Sequence, residues 1–204
     1  YGERGDIMID SEVHTNVSTA DRILYAAMQI ISESGLKGLS ASKLANAVNL
    51  SKSTVFHYFK KMDDIPALVL EKLYDKIINP IQEEHYDSVY SYLKALGTAS
   101  FSNNEEHIII YKAFLSLFQA SMHDVHLKEI VNNCSDQFGS LLYSKLRSLC
   151  DKRIDDITLK TLTHLIYMSL DGIGMHYLIH GSQTQAQMAW ELFIDTIVNQ
   201  YTLV

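Results

Sequence analysis

The run Ser51-Lys52-Ser53-Thr54-Val55-Phe56-His57-Tyr58-Phe59 gathers a cation, three small hydroxyls, an imidazole and a phenol into one short stretch. At helical spacing these groups share an outer surface, while Val55 and Phe59 turn toward a core. Such a set suits contact with a polyanion that displays hydrogen-bond acceptors. An ammonium and hydroxyls meet phosphate oxygens and base edges, and a helix of this size fits the major groove of DNA. The residues just before, Leu44-Ala45-Asn46-Ala47-Val48-Asn49-Leu50, read as a short helix and a tight turn. The segment is therefore expected to fold as helix, turn and second helix.

Positioning that surface requires further elements. Ile23, Leu24, Ala27, Ile30 and Ile31 recur at helical spacing over 18–34, with Ser18 or Thr19 as N-cap. Gly35 is a stop signal, and Gly38 lies in the turn that follows. Ser40 caps a second helix through about Val48, with Leu44 and Ala45 inward. Asn49 occupies a position expected to need a left-handed backbone, which Asn tolerates better than most residues. Ser51 caps the third helix, Phe59 closes the core beneath it, and Asp63-Asp64 opens a fourth.

Beyond Leu68 helical patterns run over about 64–79, 81–97, 104–121, 125–150, 156–180 and 184–202. Breaks are expected at Pro80, at 97–104, at His123-Asp124, at 151–156 and at Gly181-Ser182. No stretch alternates with period two, and no internal repeat or low-complexity tail is present. The chain reads as all-α.

The bulk numbers agree. Nine Gly and two Pro in 204 residues favour long helices over a turn-rich sheet. The net charge of −7 is unevenly spread. Residues 18–62 hold six Lys and Arg against Asp21 and Glu33, a net +4, whereas 76–204 hold nine against fourteen acidic residues, a net −5. A basic segment on an acidic body fits a nucleic-acid-binding head carried by a domain that phosphate repels. No apolar run approaches the roughly 18 residues that span a bilayer. The first residues show no basic region followed by an apolar core, so neither a membrane partner nor export is expected. With only Cys134 and Cys150, no disulfide framework exists and a reducing cytoplasm is expected.

With these elements in place the sequence resembles the TetR family of bacterial one-component transcription regulators. The carrying residues are Ile23-Leu24, Ala26-Ala27, Gly35, Leu44-Ala45, the run Ser51–Phe59 and Asp63-Asp64-Ile65. The likeness covers roughly 18–68; beyond it only the helix layout matches. It implies phosphate contacts from Ser40 and Ser42 and base-edge contacts from Lys52, Ser53 and His57. Ser51, Thr54 and Tyr58 would grip the backbone on either side. Three positions depart from the family pattern. Phe56 stands where a Tyr usually meets phosphate, Met62 where a Lys is common, and Asn49 where the turn usually has Gly. Two phosphate contacts are thus expected to be missing, with Lys60 and Lys61 placed to supply replacement charge.

The resemblance further implies residues 1–17 as a disordered tail, 18–63 as the helix-turn-helix DNA-binding domain, and 64–204 as a helical effector-binding and dimerisation domain. In this fold the helices over 81–180 surround a cavity, for which Tyr90, Tyr111, Phe114, Phe118, Met122, Met168, Met175 and Tyr177 are the candidate lining. Soft, adaptable side chains suit apolar or aromatic effectors. The last two helices carry apolar stripes, Leu162, Leu165, Ile166, Ser169 and Ile173 on one, Trp190, Phe193, Ile194 and Ile197 on the other. With Gly172 and Gly174 they are expected to build a four-helix homodimer interface, and Asp171-Gly172 resembles a recurrent Asp-Gly of the family's penultimate helix. A two-fold dimer predicts a palindromic double-stranded DNA operator.

The expected function is ligand-responsive transcription regulation: a repressor released when a small molecule tilts the helix over 64–79. The rival expectation is a helical ligand-binding or interaction dimer whose DNA binding is weakened or lost. No Gly-rich phosphate loop, nucleophile elbow or supported acid–base pair appears, so no enzyme and no cofactor is expected. His123 with His126 and Asp124, and His176 with His180, have metal-compatible spacing. Neither set is completed by a further ligand, and no metal is expected. Cys134 and Cys150 fall on one helical pattern about 24 Å apart, too far for a mutual bond, and read as buried free thiols.

Overall fold

The computed structural model describes residues 18–202, without the side chains of 78–83 and 202. The expected tail over 1–17 lies outside the described residues. Within them the chain forms α1 (Thr19–Ser34), α2 (Ala41–Ala47), α3 (Lys52–Tyr58), α4 (Ile65–Glu83), α5 (Val89–Ser100), α6 (Glu105–Ser121), α7 (Val125–Leu149), α8 (Asp156–His180) and α9 (Gln183–Ile197). Short 3-10 turns precede α2 and α4, a π-helical turn Val198–Thr202 follows α9, and there is no strand among the described residues.

Local chemistry sets these boundaries. Ser18, Ser40, Ser51, Ser88, Asn104, Asp124, Asp155 and Ser182 each accept a backbone N–H in the first turn of the helix they open. Each thereby satisfies a donor that would otherwise have no intrahelical partner. The exception is α4, which starts behind the 3-10 turn Met62–Asp64 and carries Pro66 in its first turn, where a missing N–H is harmless. Asp63 and Asp64 therefore precede the helix and do not belong to it. Gly35 and Gly181 end α1 and α8 at positive φ, 68° and 71°, and Asn49 at φ 55° makes the tight turn between α2 and α3.

One break was misplaced from sequence. The backbone stays helical through Pro80 to Glu83, and the interruption falls at 84–88. A proline removes one hydrogen bond but does not forbid a further turn. The stop coincides with the start of α5, where Ser88 and Ser91 form a reciprocal capping box.

The buried residues make one continuous hydrophobic cluster, from Ile23, Ala27 and Ile31 of α1 to Trp190 and Ile194 of α9. α1 lies against α6 and α4; α4, α6, α7 and α8 pack around one another; α9 closes the far side against α5 and α8. The α1–α3 unit is thus fixed to the remainder through both α6 and α4.

Candidate nucleic-acid interface and interior site

The α2–turn–α3 segment folds as its pattern predicts. Val55 has no exposure and Phe59 only 8%, so the inner face of α3 is anchored. Ser53 and His57, one turn apart, lie at the centre of the outer face. Lys52 and Phe56 flank them on one side, Thr54 and Tyr58 on the other. Ser40, Ser42, Ser51, Lys52, Ser53, His57, Tyr58, Lys60 and Lys61 are all exposed, and Thr54 partly so. The Ser51 hydroxyl accepts the Thr54 N–H at 3.0 Å and lies 2.7 Å and 2.8 Å from the hydroxyls of Ser53 and Thr54. Its first role is that of a helix cap. His57 and Tyr58 meet edge to face at 5.5 Å. Phe56 is 41% exposed, an aromatic ring in solvent on a surface of donors.

One ion pair ties α1 to the rest, Asp21 to Lys72 of α4 at 2.6 Å, and a second, Lys76 of α4 to Glu106 of α6 at 2.5 Å, joins the two helices on which α1 rests. Both are substantially exposed, so they fix register more than stability. The Lys72 partner and the Ser18 hydroxyl hold the Asp21 carboxyl below its usual range.

The expected cavity lining is only partly brought together. Tyr111, Phe114 and Phe118 of α6 form an aromatic row inside the bundle, with Tyr111 6.4 Å and Phe118 5.8 Å from Phe114. Tyr90 lies on α5 under the Lys94 ammonium. Tyr177 is a strut, its hydroxyl bonded to the Ser102 carbonyl at 3.0 Å and to Asn103 Oδ1 at 2.7 Å. Met122, Met168 and Met175 point into solvent, 65%, 68% and 42% exposed. Side chains on the outer face of α8 or at the last turn of α6 cannot reach an interior cavity.

The interior site contains residues the sequence reading did not select. Tyr74 of α4 meets Phe114 edge to face at 5.6 Å. Ser135 of α7 lies 3.4 Å from the Tyr74 hydroxyl and 3.1 Å from that of Tyr167 on α8. Tyr167 in turn packs on Phe138 at 5.2 Å. One turn after Tyr167 stands Asp171, partly buried, whose carboxyl burial pushes up to about 6. Burial first, and after it the charge on Asp171, push the Tyr111 hydroxyl upward; Tyr74 and Tyr167 feel the same burial and the same charge. The signal in the sequence was Asp171 itself, a lone acid amid the apolar Leu165–Met175 stretch of α8.

The dimer stripe also needs correction. Leu162, Ile166, Trp190, Ile194 and Ile197 are buried inside the protomer and face its own core. Ile173 and Phe193 are partly buried against that core. Gly174 also faces inward, where a Cβ would lie 2.8 Å from Cε1 of Tyr111. Leu165 is exposed, Ser169 and Gly172 partly so, and Gly172 opens on free space. A helix buries one stripe and exposes another, and the more apolar stripe went to the core.

His176 and His180 stack at 5.6 Å on the exposed end of α8. Among the described residues no group of three or more His, Cys, Asp or Glu is placed to hold a metal, and no helix is long and apolar enough to cross a membrane. Cys134 is buried and Cys150 partly buried, both free.

Comparison with known proteins matches both halves. Residues 23–67 fit the family model of bacterial regulatory proteins, tetR family. Over 185 residues the chain is 23% identical to the HTH-type transcriptional regulator BetI of Vibrio campbellii, covering 89% of this chain and 91% of that protein. Among solved structures it resembles a transcriptional regulator from Rhodococcus sp. Rha1, with TM-score 0.81, 20% identity, and 92% of this chain and 100% of that one covered. It also resembles a transcriptional regulator from Saccharomonospora viridis in complex with choline, with TM-score 0.69, 13% identity and 91% and 98% covered.

Proposed function

This chain belongs to the TetR family of bacterial transcription regulators, and on that premise we propose that it is a DNA-binding repressor, working as a homodimer on a palindromic operator and released by a small molecule. We assign 18–63 to the DNA-binding head and 64–204 to the effector-binding and dimerisation body, in the cytoplasm. The observation that carries this reading is the outer face of α3. Lys52, Ser53, Thr54, His57 and Tyr58 project together from a helix anchored by the buried Val55. Base-edge contacts from Lys52, Ser53 and His57 give discrimination, and the hydroxyls with Lys60 and Lys61 give affinity.

Dimerisation is supported by an outward apolar stripe, Leu165, Met168, Met175 and Ile179 of α8 with Met188 and Leu192 of α9, each at least 42% exposed. Pairing that stripe across a two-fold axis would give the pair two copies of α3, one from each protomer. The resemblance to a regulator crystallised with choline supports a small-molecule effector for this chain too. Release runs through the contacts of α1: an occupant between α4 and α6 shifts the two helices on which α1 rests.

The test is a fluorescence-anisotropy titration of the whole protein against DNA upstream of its own gene and against scrambled DNA. A specific site binds about a thousandfold tighter than scrambled sequence. Lys52→Ala narrows that ratio by about 1–3 kcal/mol. Lys60→Ala weakens both DNAs alike and flattens the salt dependence. Equal affinity for all sequences at moderate salt overturns the DNA-binding role; equal, sequence-blind losses for both variants overturn the assignment of Lys52.

A further inference from the structure

Resting on the DNA-binding reading above, we propose that Asp21 and Arg22 are positioning residues. Neighbours on the first turn of α1, they carry the position of α4 to the turn that sets the angle of α3.

Arg22 serves the head. α2 has no basic residue in its last turn, and a helix end leaves its terminal carbonyls without intrahelical donors. The Arg22 guanidinium supplies a donor from another helix, reaching the carbonyl of Val48, the C-cap of α2, at 3.5 Å. A cation there also suits the negative end of the helix dipole. Asn49 follows with its left-handed backbone, and Ser51 then caps α3. Only Leu50 stands between that turn and that cap, so a shift at Val48 passes on to α3.

Asp21 serves the body. Successive helical side chains point roughly 100° apart, so two neighbours can engage different elements. The Asp21 carboxylate accepts from the Ser18 hydroxyl at 2.6 Å and pairs with Lys72 of α4 at 2.6 Å. One turn on, the Tyr25 ring lies 5.8 Å from the ammonium of Lys76, which stands one turn after Lys72 and pairs with Glu106 of α6. Two rungs, one turn apart on both helices, fix sliding as well as separation. α4 cannot move along α1 without parting both rungs or taking the first turn of α1 with it.

A single peptide bond therefore separates a residue held by α4 from a residue bonded to the end of α2. α4 packs against α6 and α7 as well as α1. A shift imposed on it in the body thus reaches α3 through side chains and not through the connecting chain alone. Each contact is weak, an exposed ion pair and a long hydrogen bond. Weak contacts suit a part that must take two positions.

Anisotropy titrations of the whole protein with DNA upstream of its own gene and with scrambled DNA read the relay as the ratio of the two affinities. Lys72→Met should lower that ratio about three- to tenfold, and Arg22→Gln likewise. The double variant should lose no more than the worse of the two. Asp21→Lys should also lower the ratio, and adding Lys72→Glu, which reverses the pair, should bring it back to within about twofold of the native value. Thermal unfolding should stay close to that of the native protein throughout, because the substituted side chains are exposed. Ratios untouched by the single variants, losses that multiply in the double variant, or a reversed pair that restores nothing overturns the relay. So does an Arg22→Gln variant that weakens both DNAs alike and reduces the salt slope by about one, which is the mark of a plain phosphate contact. A native protein that binds both DNAs equally overturns the DNA-binding reading itself, and the relay with it.

Discussion

In the head, Lys52, Lys60 and Lys61 stand in solvent among hydroxyls, while in the body Asp171 is turned inward among three phenols with no opposite charge beside it. On the function proposed above, the difference follows from the size of what each region would meet. A polyanionic duplex cannot be enclosed, so it must be met by many weak contacts on a surface where water screens each of them. A small molecule can be enclosed, and in a low-dielectric box one charge discriminates more strongly than several exposed ones. Between the two lies a shared core, and α1, resting on α6 and α4, belongs to both regions.

The largest expected effect tests whether head and body are one cooperative unit. Trp190 is 2% exposed, donates its Nε1–H to the Leu93 carbonyl at 2.8 Å, and packs so closely on Gly97 that a Cβ there would lie 2.0 Å from its ring. Trp190→Ala should lower stability by about 3–5 kcal/mol through the cavity and the lost hydrogen bond. Because one core runs from Trp190 to Ile23, thermal unfolding followed by circular dichroism should stay a single transition, shifted down by roughly 10 °C. A second transition, in which the head survives the body, would break the comparison into two independent domains.

A smaller effect sharpens the account of the body's buried charge. The Asp171 carboxyl is raised from 3.8 to about 6, so the folded state holds that proton at pH values where the unfolded chain has lost it. Its contribution to stability is therefore full below about pH 4 and is lost as pH rises through about 6. Tyr74, Tyr111 and Tyr167, which face it, are pushed upward and stay neutral in that window. Asp171→Asn should stabilise the ligand-free protein by on the order of 2 kcal/mol at pH 8 and by almost nothing near pH 4. Urea denaturation at both pH values measures it, and an equal gain at both would mean that Asp171 is not held away from water.

The same contrast explains what the sequence disclosed. Most of the head's fold was legible: Ser40 and Ser51 cap their helices, Ser18, one of two candidates, caps the first, Asn49 turns left-handed, and Phe59 is buried. Its candidate site lies on one short helix, where spacing along the chain is spacing in space. The body's helices were legible too, apart from the run through Pro80. Its interior cluster was legible only for Tyr111 and Phe114, because Tyr74, Tyr111, Ser135 and Asp171 come from four helices and meet only through packing. Nor did spacing tell which stripe of α8 faces out; Met168 and Met175 were read as lining and are exposed, and Ile166 was read as interface and is buried in the protomer's own core.

The smallest effect returns to the head, at a position where the family pattern and this chain differ. Phe56 lies one turn from Lys52 and is 41% exposed, while the fold beneath α3 rests on Val55 and Phe59. Adding a hydroxyl at the ring tip should therefore leave stability within about 0.5 kcal/mol, as exposed substitutions usually do. If this edge of α3 faces the backbone of DNA, Phe56→Tyr gains a donor to phosphate worth about 1 kcal/mol, a tightening of roughly fivefold. Phosphate carries no sequence information, so operator and scrambled DNA should tighten alike. No charge is added, so the slope of affinity against salt should not change. Anisotropy titrations over a salt series read all three. A gain confined to the operator would place Phe56 over a base edge, and no gain would turn this edge of α3 away from DNA, leaving Lys60 and Lys61 to hold the backbone on that side.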